Sequence, residues 1–197
     1  EIVKMNKLLK HRGPDSEGYN FFSLENNKIY DYFDNNNKII GEVGFKRLSI
    51  LDKSSLANQP YLSPNKKVSL IFNGEIYNYK LLKKILIGKG YIFKTSSDTE
   101  VIINYYLCYG INKLLSDLDG MFTLFIFDLE NKVSYLARDR LGIKPIYYYN
   151  DQSNFIFASE TKSSLNIIET DSIFLLVCCD KKYEIIEESK PPDVLKK

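Results

Sequence analysis

Between Gly18 and Ala158 the chain reads as a succession of short β-type runs with a few helical stretches set among them, and this order constrains the fold most. Tyr19–Leu24, Ile29–Phe33, Ile39–Ile50, Val68–Phe72 and Tyr91–Phe93 carry the β-branched and aromatic content of strands. Met121–Asp128, Val133–Arg138, Ile146–Tyr149 and Phe155–Ala158 read the same way. Helical spacing joins Ile76, Tyr79, Leu82 and Leu86, with Lys80, Lys83 and Lys84 on the other side. It returns from Ser97, which has capping-box spacing to Glu100, to about Tyr109, and again over Ile111–Leu118 beyond Gly110. An amphipathic run over 2–10 ends at His11-Arg-Gly-Pro-Asp15, where Gly13 suits a left-handed cap and Pro14 forbids continuation. A last helix begins near Glu160. Strands and helices do not alternate one for one, so the pattern argues for an α+β fold, with stacked antiparallel sheets and helices outside.

The 197 residues, 44% hydrophobic and 26% charged, suffice for one well-cored domain and not for two full-sized ones. A net charge of +2 is spread without a basic block, so no nucleic acid is implied. No run approaches the roughly 18 apolar residues of a membrane span. Cys108, Cys178 and Cys179 are odd in number and two are adjacent, which is not a disulfide framework; a reducing, cytoplasmic compartment is expected. The single histidine, His11, excludes a multi-His metal site, and no CxxC stands in for one, so no metal is expected in this chain. Any base in a catalytic pair would be His11 or something other than histidine.

Several polar groups could carry chemistry, and each has a plain alternative. Asn73-Gly74 follows a strand and precedes helical spacing, so it is either a strand-to-helix turn or a pair of donors, amide and main-chain N–H, for a developing oxyanion. Asp98 suits a helix N-terminus, and Glu75 a first helical turn. Arg47 is one of only four arginines and lies in an apolar strand-like run, where it pairs with a structural acid or a ligand. Together an Arg, two carboxylates and a donor pair would suit a small α-amino acid with a side-chain carbonyl.

His11-Arg-Gly-Pro-Asp15, Arg47-Leu-Ser-Ile-Leu-Asp52, Asn58-Gln-Pro60, Asn73-Gly-Glu-Ile-Tyr-Asn78, Ser97-Asp-Thr-Glu-Val101 and Asp119-Gly-Met-Phe122 occur in order. Arg138-Asp-Arg-Leu-Gly-Ile-Lys-Pro-Ile-Tyr-Tyr148 and Ala158-Ser-Glu-Thr-Lys162 follow them. Over residues 1–168 the chain resembles the class II glutamine amidotransferase domain of glutamine-hydrolysing asparagine synthetases. The resemblance implies an N-terminal nucleophile hydrolase fold, a four-layer αββα sandwich. It implies that Arg47 binds the glutamine α-carboxylate, that Glu75 and Asp98 hold the α-amino group, and that Asn73 and Gly74 form the oxyanion hole. The nucleophile it implies is a cysteine at the start of the mature chain. Here that strand is missing, and a Met-Cys-Gly/Ser-Ile-like start is expected roughly 20 residues upstream. The 197 residues alone are therefore expected to be inactive, with an unsatisfied sheet edge.

No cofactor is implied in this chain. ATP and Mg2+ belong to an absent synthetase domain that would use the released ammonia to amidate aspartate, and a homodimer fits the family. Residues 169–197 are expected to form a strand pair, Ile173–Cys179 with Tyr183–Ile186, and an exit segment at Ser189-Lys-Pro-Pro192. Two other readings stay open: a glutamine-binding scaffold without catalysis, and an amidotransferase serving another acceptor, as in a β-lactam-forming synthetase.

Overall fold

The computed structural model describes residues 2–49, 52, 54–150 and 155–163, and the backbone of three short strands at 176–177, 183–187 and 195–196. Four layers stack. The outermost on one side holds α2 (Tyr79–Gly88) and α3 (Asp98–Asp117). Beneath them lies a sheet in the order β12-β11-β7-β6-β5-β4. Its strands are β4 (Tyr61–Leu62), β5 (Val68–Ile76), β6 (Gly120–Asp128), β7 (Val133–Arg138), β11 (Tyr183–Glu187) and β12 (Leu195–Lys196). The third layer comprises two three-stranded sheets. One is β2-β1-β3, from β1 (Ser16–Ser23), β2 (Lys28–Tyr30) and β3 (Gly41–Arg47); the other is β10-β9-β8, from β8 (Tyr147–Asn150), β9 (Phe155–Ala158) and β10 (Leu176–Val177). Helix α1 (Ile2–Leu8) covers their outer face.

Period-2 alternation sorts the side chains between layers. On β5 and β6, Val68, Leu70, Phe72, Phe122, Leu124 and Ile126 face the helices and pack with Leu82, Leu86, Val101 and Leu114. Ile71, Phe125 and Phe127 face the other way, against Phe22, Val43 and Phe155. Phe22 stacks on Phe127 with centroids 4.1 Å apart. Each such fully buried large side chain contributes on the order of 1.5–3 kcal/mol, so both faces of the long sheet are cemented. Ile2 and Met5 of α1 pack on Phe21, Tyr30 and Ile156 to close the fourth layer.

Several local expectations change. Asn73-Gly74 is not a strand-to-helix turn: β5 runs through both residues to Ile76, paired with β6 from Val68–Asp128 to Ile76–Gly120. Cross-strand pairing with Gly120–Phe122 carries the strand past the start of the helical spacing, and α2 starts only at Tyr79. Residues 91–93 are not in a strand. Gly13 has φ −152°, not a left-handed cap; it is glycine because a Cβ there would lie 2.3 Å from the Lys46 carbonyl carbon. The capping box is half made. Ser97 Oγ accepts from Thr99 N–H, whereas the Glu100 carboxylate turns back to Lys94 N–H, Thr95 N–H and Thr95 Oγ1. Where a last helix was expected, the described residues after β9 form a 3-10 turn, Thr161–Ser163, and residues 164–175 lie outside the described residues.

The two late strands do not pair with each other. β10 joins β9, and β11 lies parallel to β7 while every other strand pair among the described residues is antiparallel. A long crossover between Arg138 and Tyr183 is what permits that parallel register. Residues 188–194, including Ser189-Lys-Pro-Pro192, lie outside the described residues, as do Cys178 and Cys179. β3 is an edge strand of its sheet, with α1 packed across it. No helix of the described residues is long and apolar enough to cross a membrane.

Candidate functional site

The edge of β5 sets out the site. Phe122 of β6 turns its N–H and C=O toward Asp139, so the odd-numbered residues of β6 and β5 bond to each other. The main-chain groups of Phe72, Gly74 and Ile76 therefore point off the opposite edge. β4 covers that edge only at Ser69 and Leu70. Phe72 is met by the Gln59 side chain, and Ile76 N–H donates to Asp98 Oδ2 at 3.1 Å. Between them Gly74 N–H has no acceptor among the described residues, about 7 Å along the edge from each neighbour. A Cβ at Gly74 would lie 2.1 Å from the Met121 carbonyl oxygen, so only glycine fits this close approach to β6. Asn73 turns its side chain to the inter-sheet face that carries Ser69 and Ile71, and its carboxamide is unpartnered among the described residues.

A cavity of about 350 Å³ opens here, lined by all five residues singled out in the sequence: Arg47, Asn73, Gly74, Glu75 and Asp98. Arg47 ends β3 and is 7% exposed. Its strand end is clamped by Asp15 N–H, which donates to Arg47 O at 3.1 Å, and by the close pass of Gly13. Among the described residues the guanidinium meets only neutral acceptors. Nη1 donates to Ser54 O at 3.1 Å and Asn58 Oδ1 at 2.9 Å, and Nη2 to Asp52 O. Among the described residues Nε–H and one Nη2 hydrogen have no acceptor, and Nε with Nη2 forms the side-on edge that matches a carboxylate. Asp98 opens α3, is 4% exposed, and pairs with no cation among the described residues. Burial pushes its carboxyl above the ordinary value, against hydrogen bonds from the Ile76 and Thr99 amides. Glu75 is exposed at the rim.

Asp52 was not assigned a role from the sequence, although it ends a quoted motif. Its carboxylate accepts from Ser54 N–H at 2.8 Å and from Ser96 N–H and Oγ at 2.9 and 3.0 Å. Hydrogen bonds from Ser54 and Ser96 hold its carboxyl well below the usual range. Asp52 thereby ties the loop that carries the Arg47 acceptors to the turn that opens α3. Ser96, the partner that makes this tie, lies far away in sequence, so spacing could not reveal it.

The arrangement has two buried, opposite charges in one cavity, neither with a counter-charge among the described residues, with a carboxamide and a main-chain N–H beside them. That suits a small zwitterion carrying a further carbonyl. Among the described residues no group of three or more His, Cys, Asp or Glu side chains could hold a metal ion. Cys108 is half-buried on α3 and packs on the helix-side core, outside the cavity lining.

The family model described as glutamine amidotransferase domain matches residues 1–174. The chain belongs to that family. The glutamine-hydrolyzing asparagine synthetase 1 of Bacillus subtilis is 42% identical over 175 residues, covering 87% of this amidotransferase chain and 25% of that protein. The glutamine-hydrolyzing asparagine synthetase 2 of Arabidopsis thaliana is 34% identical over 163 residues, covering 82% of this chain and 25% of its own length. The chain thus spans about a quarter of these relatives. Among solved structures, the glutamine phosphoribosylpyrophosphate amidotransferase from B. subtilis, complexed with ADP and GMP, superposes with a TM-score of 0.66 at 27% identity, covering 81% of this chain and 39% of that one. The α+β, four-layer architecture of the amidotransferase domain agrees with this likeness.

Proposed function

We propose that the chain is the glutamine-binding part of an ammonia-supplying glutaminase, in a protein that amidates aspartate in an ATP- and Mg2+-dependent synthetase domain. The observation that carries the binding step is the pair of buried charges Arg47 and Asp98, without a counter-charge among the described residues, in the cavity that also holds Asn73 and the Gly74 N–H. Arg47 presents its Nε/Nη2 edge to the α-carboxylate. Asp98, with Glu75 at the rim, takes the α-ammonium. The side-chain carbonyl reaches the Gly74 N–H and the Asn73 carboxamide, which stabilise negative charge on that oxygen when a nucleophile attacks its carbon. The relatives named above support the acceptor chemistry, and their names are what point to aspartate.

Cys108 lies outside the cavity lining and offers no nucleophile to it, so the step proposed for these residues is binding. Calorimetry tests the reading: L-glutamine should bind, while Nα-acetyl-glutamine, which lacks the ammonium, and glutaminamide (C-terminal amide), which lacks the α-carboxylate, should not. Equal heats for all three, or none for L-glutamine, would overturn it. The same reading carries a cytoplasmic location and a homodimer, which fractionation of the source cells and light scattering on the full-length protein address.

A further inference from the structure

We propose that Asn58 and Gln59 are a positioning pair that holds the two halves of the site in register, Asn58 through Arg47 and Gln59 through the strand edge carrying Gly74. This deepens the glutamine-binding reading and rests on it. The β4–β5 register places Tyr61 opposite Leu70 and Leu62 opposite Ser69, so two residues before Tyr61 Gln59 stands opposite Phe72. Gln59 does not use its main chain there. Its Nε2 donates to Phe72 O at 2.9 Å and its Oε1 accepts from Phe72 N–H at 2.6 Å. These are the two bonds that a strand residue would make with its backbone. Gln59 is 8% exposed, so the pair is shielded from water.

The substitution of side chain for main chain has a consequence two residues on. A backbone ladder continued in the same register would bring Ala57 opposite Gly74 and cover its N–H. Instead the main chain leaves the sheet and passes over β1, where a Cβ on Gly18 would lie 2.2 Å from Gln59 O. Gln59 thus ends the ladder while still fixing the strand, and leaves Gly74 N–H both open and held. Its neighbour Asn58 faces the other half. Asn58 Oδ1 accepts from Arg47 Nη1 at 2.9 Å and from Ser16 Oγ at 3.2 Å. By occupying Nη1 it leaves the Nε/Nη2 edge for the ligand. Adjacent Cα atoms are about 3.8 Å apart, so one rigid dipeptide sets the distance between carboxylate fork and carbonyl donors. A misplacement of about 1 Å there is enough to cost on the order of 100-fold in rate.

The test separates this role from mere packing. In the natural full-length protein, Gln59→Leu should lower kcat for glutamine about 10- to 100-fold with KM within about threefold. Asn58→Ala should raise KM about tenfold with kcat within about threefold. Gln59→Glu keeps the acceptor for Phe72 N–H but loses the donor to Phe72 O, and should fall between wild type and Gln59→Leu. Amide exchange on the 197-residue chain gives an activity-free readout. Phe72 N–H should exchange at least about tenfold faster in Gln59→Leu, stay protected in Gln59→Glu, and leave the β6 amides of Leu124 and Ile126 unchanged. Unchanged Phe72 exchange, or kcat and KM moving together in both variants, would overturn the proposal. A wild type that neither binds nor hydrolyses glutamine defeats the functional reading instead, and the exchange experiment still decides whether Gln59 holds this edge.

Discussion

Two groups of charged side chains in this protein look alike in composition and differ in how they are compensated. At the surface, Glu160 takes His11 Nε2 at 3.0 Å and Arg12 Nη1 at 3.1 Å on one carboxylate oxygen, and Lys162 Nζ at 3.1 Å on the other. Partial burial opposes ionisation of Glu160, but the hydrogen bonds from His11, Lys162 and Arg12 outweigh it and bring its carboxyl down to about 2. Every charge in that cluster has a partner, and together they pin the turn after α1 to the turn after β9. In the cavity, Arg47 and Asp98 are more deeply buried and have no counter-charge among the described residues. A folded protein tolerates such a cost where a ligand supplies the missing partner. Charge content does not separate the two places; compensation does.

The sharpest way to break this contrast is at Gly74. Gly74→Ala drives a methyl against the Met121 carbonyl, so we expect about 3 kcal/mol of destabilisation in thermal unfolding and no glutamine binding by calorimetry. A variant with wild-type stability and affinity would mean that the β5–β6 approach is not rigid. Next, Arg47→Lys keeps a charge but loses the planar fork, and glutamine affinity should fall about 100-fold. A change of less than about threefold would remove Arg47 from the binding role.

Asp98→Asn should separate function from stability. Asn can still accept from Ile76 N–H, so removal of an unpaired buried charge should raise the melting temperature by a few degrees, while affinity for glutamine drops about 100-fold. A fall in both would make Asp98 a structural acid. The pH dependence follows with a definite sign. The folded-state carboxyl of Asp98 titrates above its unfolded value, so its stabilising contribution is present below about pH 3.9 and is lost as pH rises through the raised value. Wild type should therefore lose stability relative to Asp98→Asn as pH climbs, whereas glutamine affinity should weaken as pH falls through the same range. Denaturation and calorimetry across that range check both directions.

The smallest effect belongs to the surface cluster. Glu160→Gln should change stability by less than about 1 kcal/mol, because its partners are solvent-screened, and leave glutamine affinity unchanged. Glu160 titrates below its unfolded value, so what it adds is present above about pH 4.3 and fades as pH falls toward about 2. A large loss of binding in Glu160→Gln would erase the distinction between the two clusters.

Much of the architecture was legible in the residues. The β-type runs at Val68–Phe72, Met121–Asp128, Val133–Arg138 and Phe155–Ala158 are strands, and the helical break at Gly110 is real, with φ 77° there. The motifs also named five residues that line one cavity. Boundaries were less legible where two periodicities overlap. Ile76 belongs both to the helical spacing that follows and to the strand that precedes it, and pairing with Gly120 decides for the strand. The partners of Asp52, Asn58 and Gln59 were not legible, because hydrogen bonds to Ser96, Arg47 and Phe72 leave no periodic trace.

By itself, the sequence determined which chemistry is present: a scarce arginine, carboxylates, an Asn-Gly pair and a glycine-bearing motif before the first strand. Local spacing and side-chain type are written in the order of residues. Only the tertiary structure decided that Gly74 N–H points off a strand edge left uncovered between Gln59 and Asp98, and that Arg47 meets neutral acceptors alone among the described residues. Those facts depend on strand register and on close approaches between segments far apart in the chain, which one-dimensional spacing does not encode.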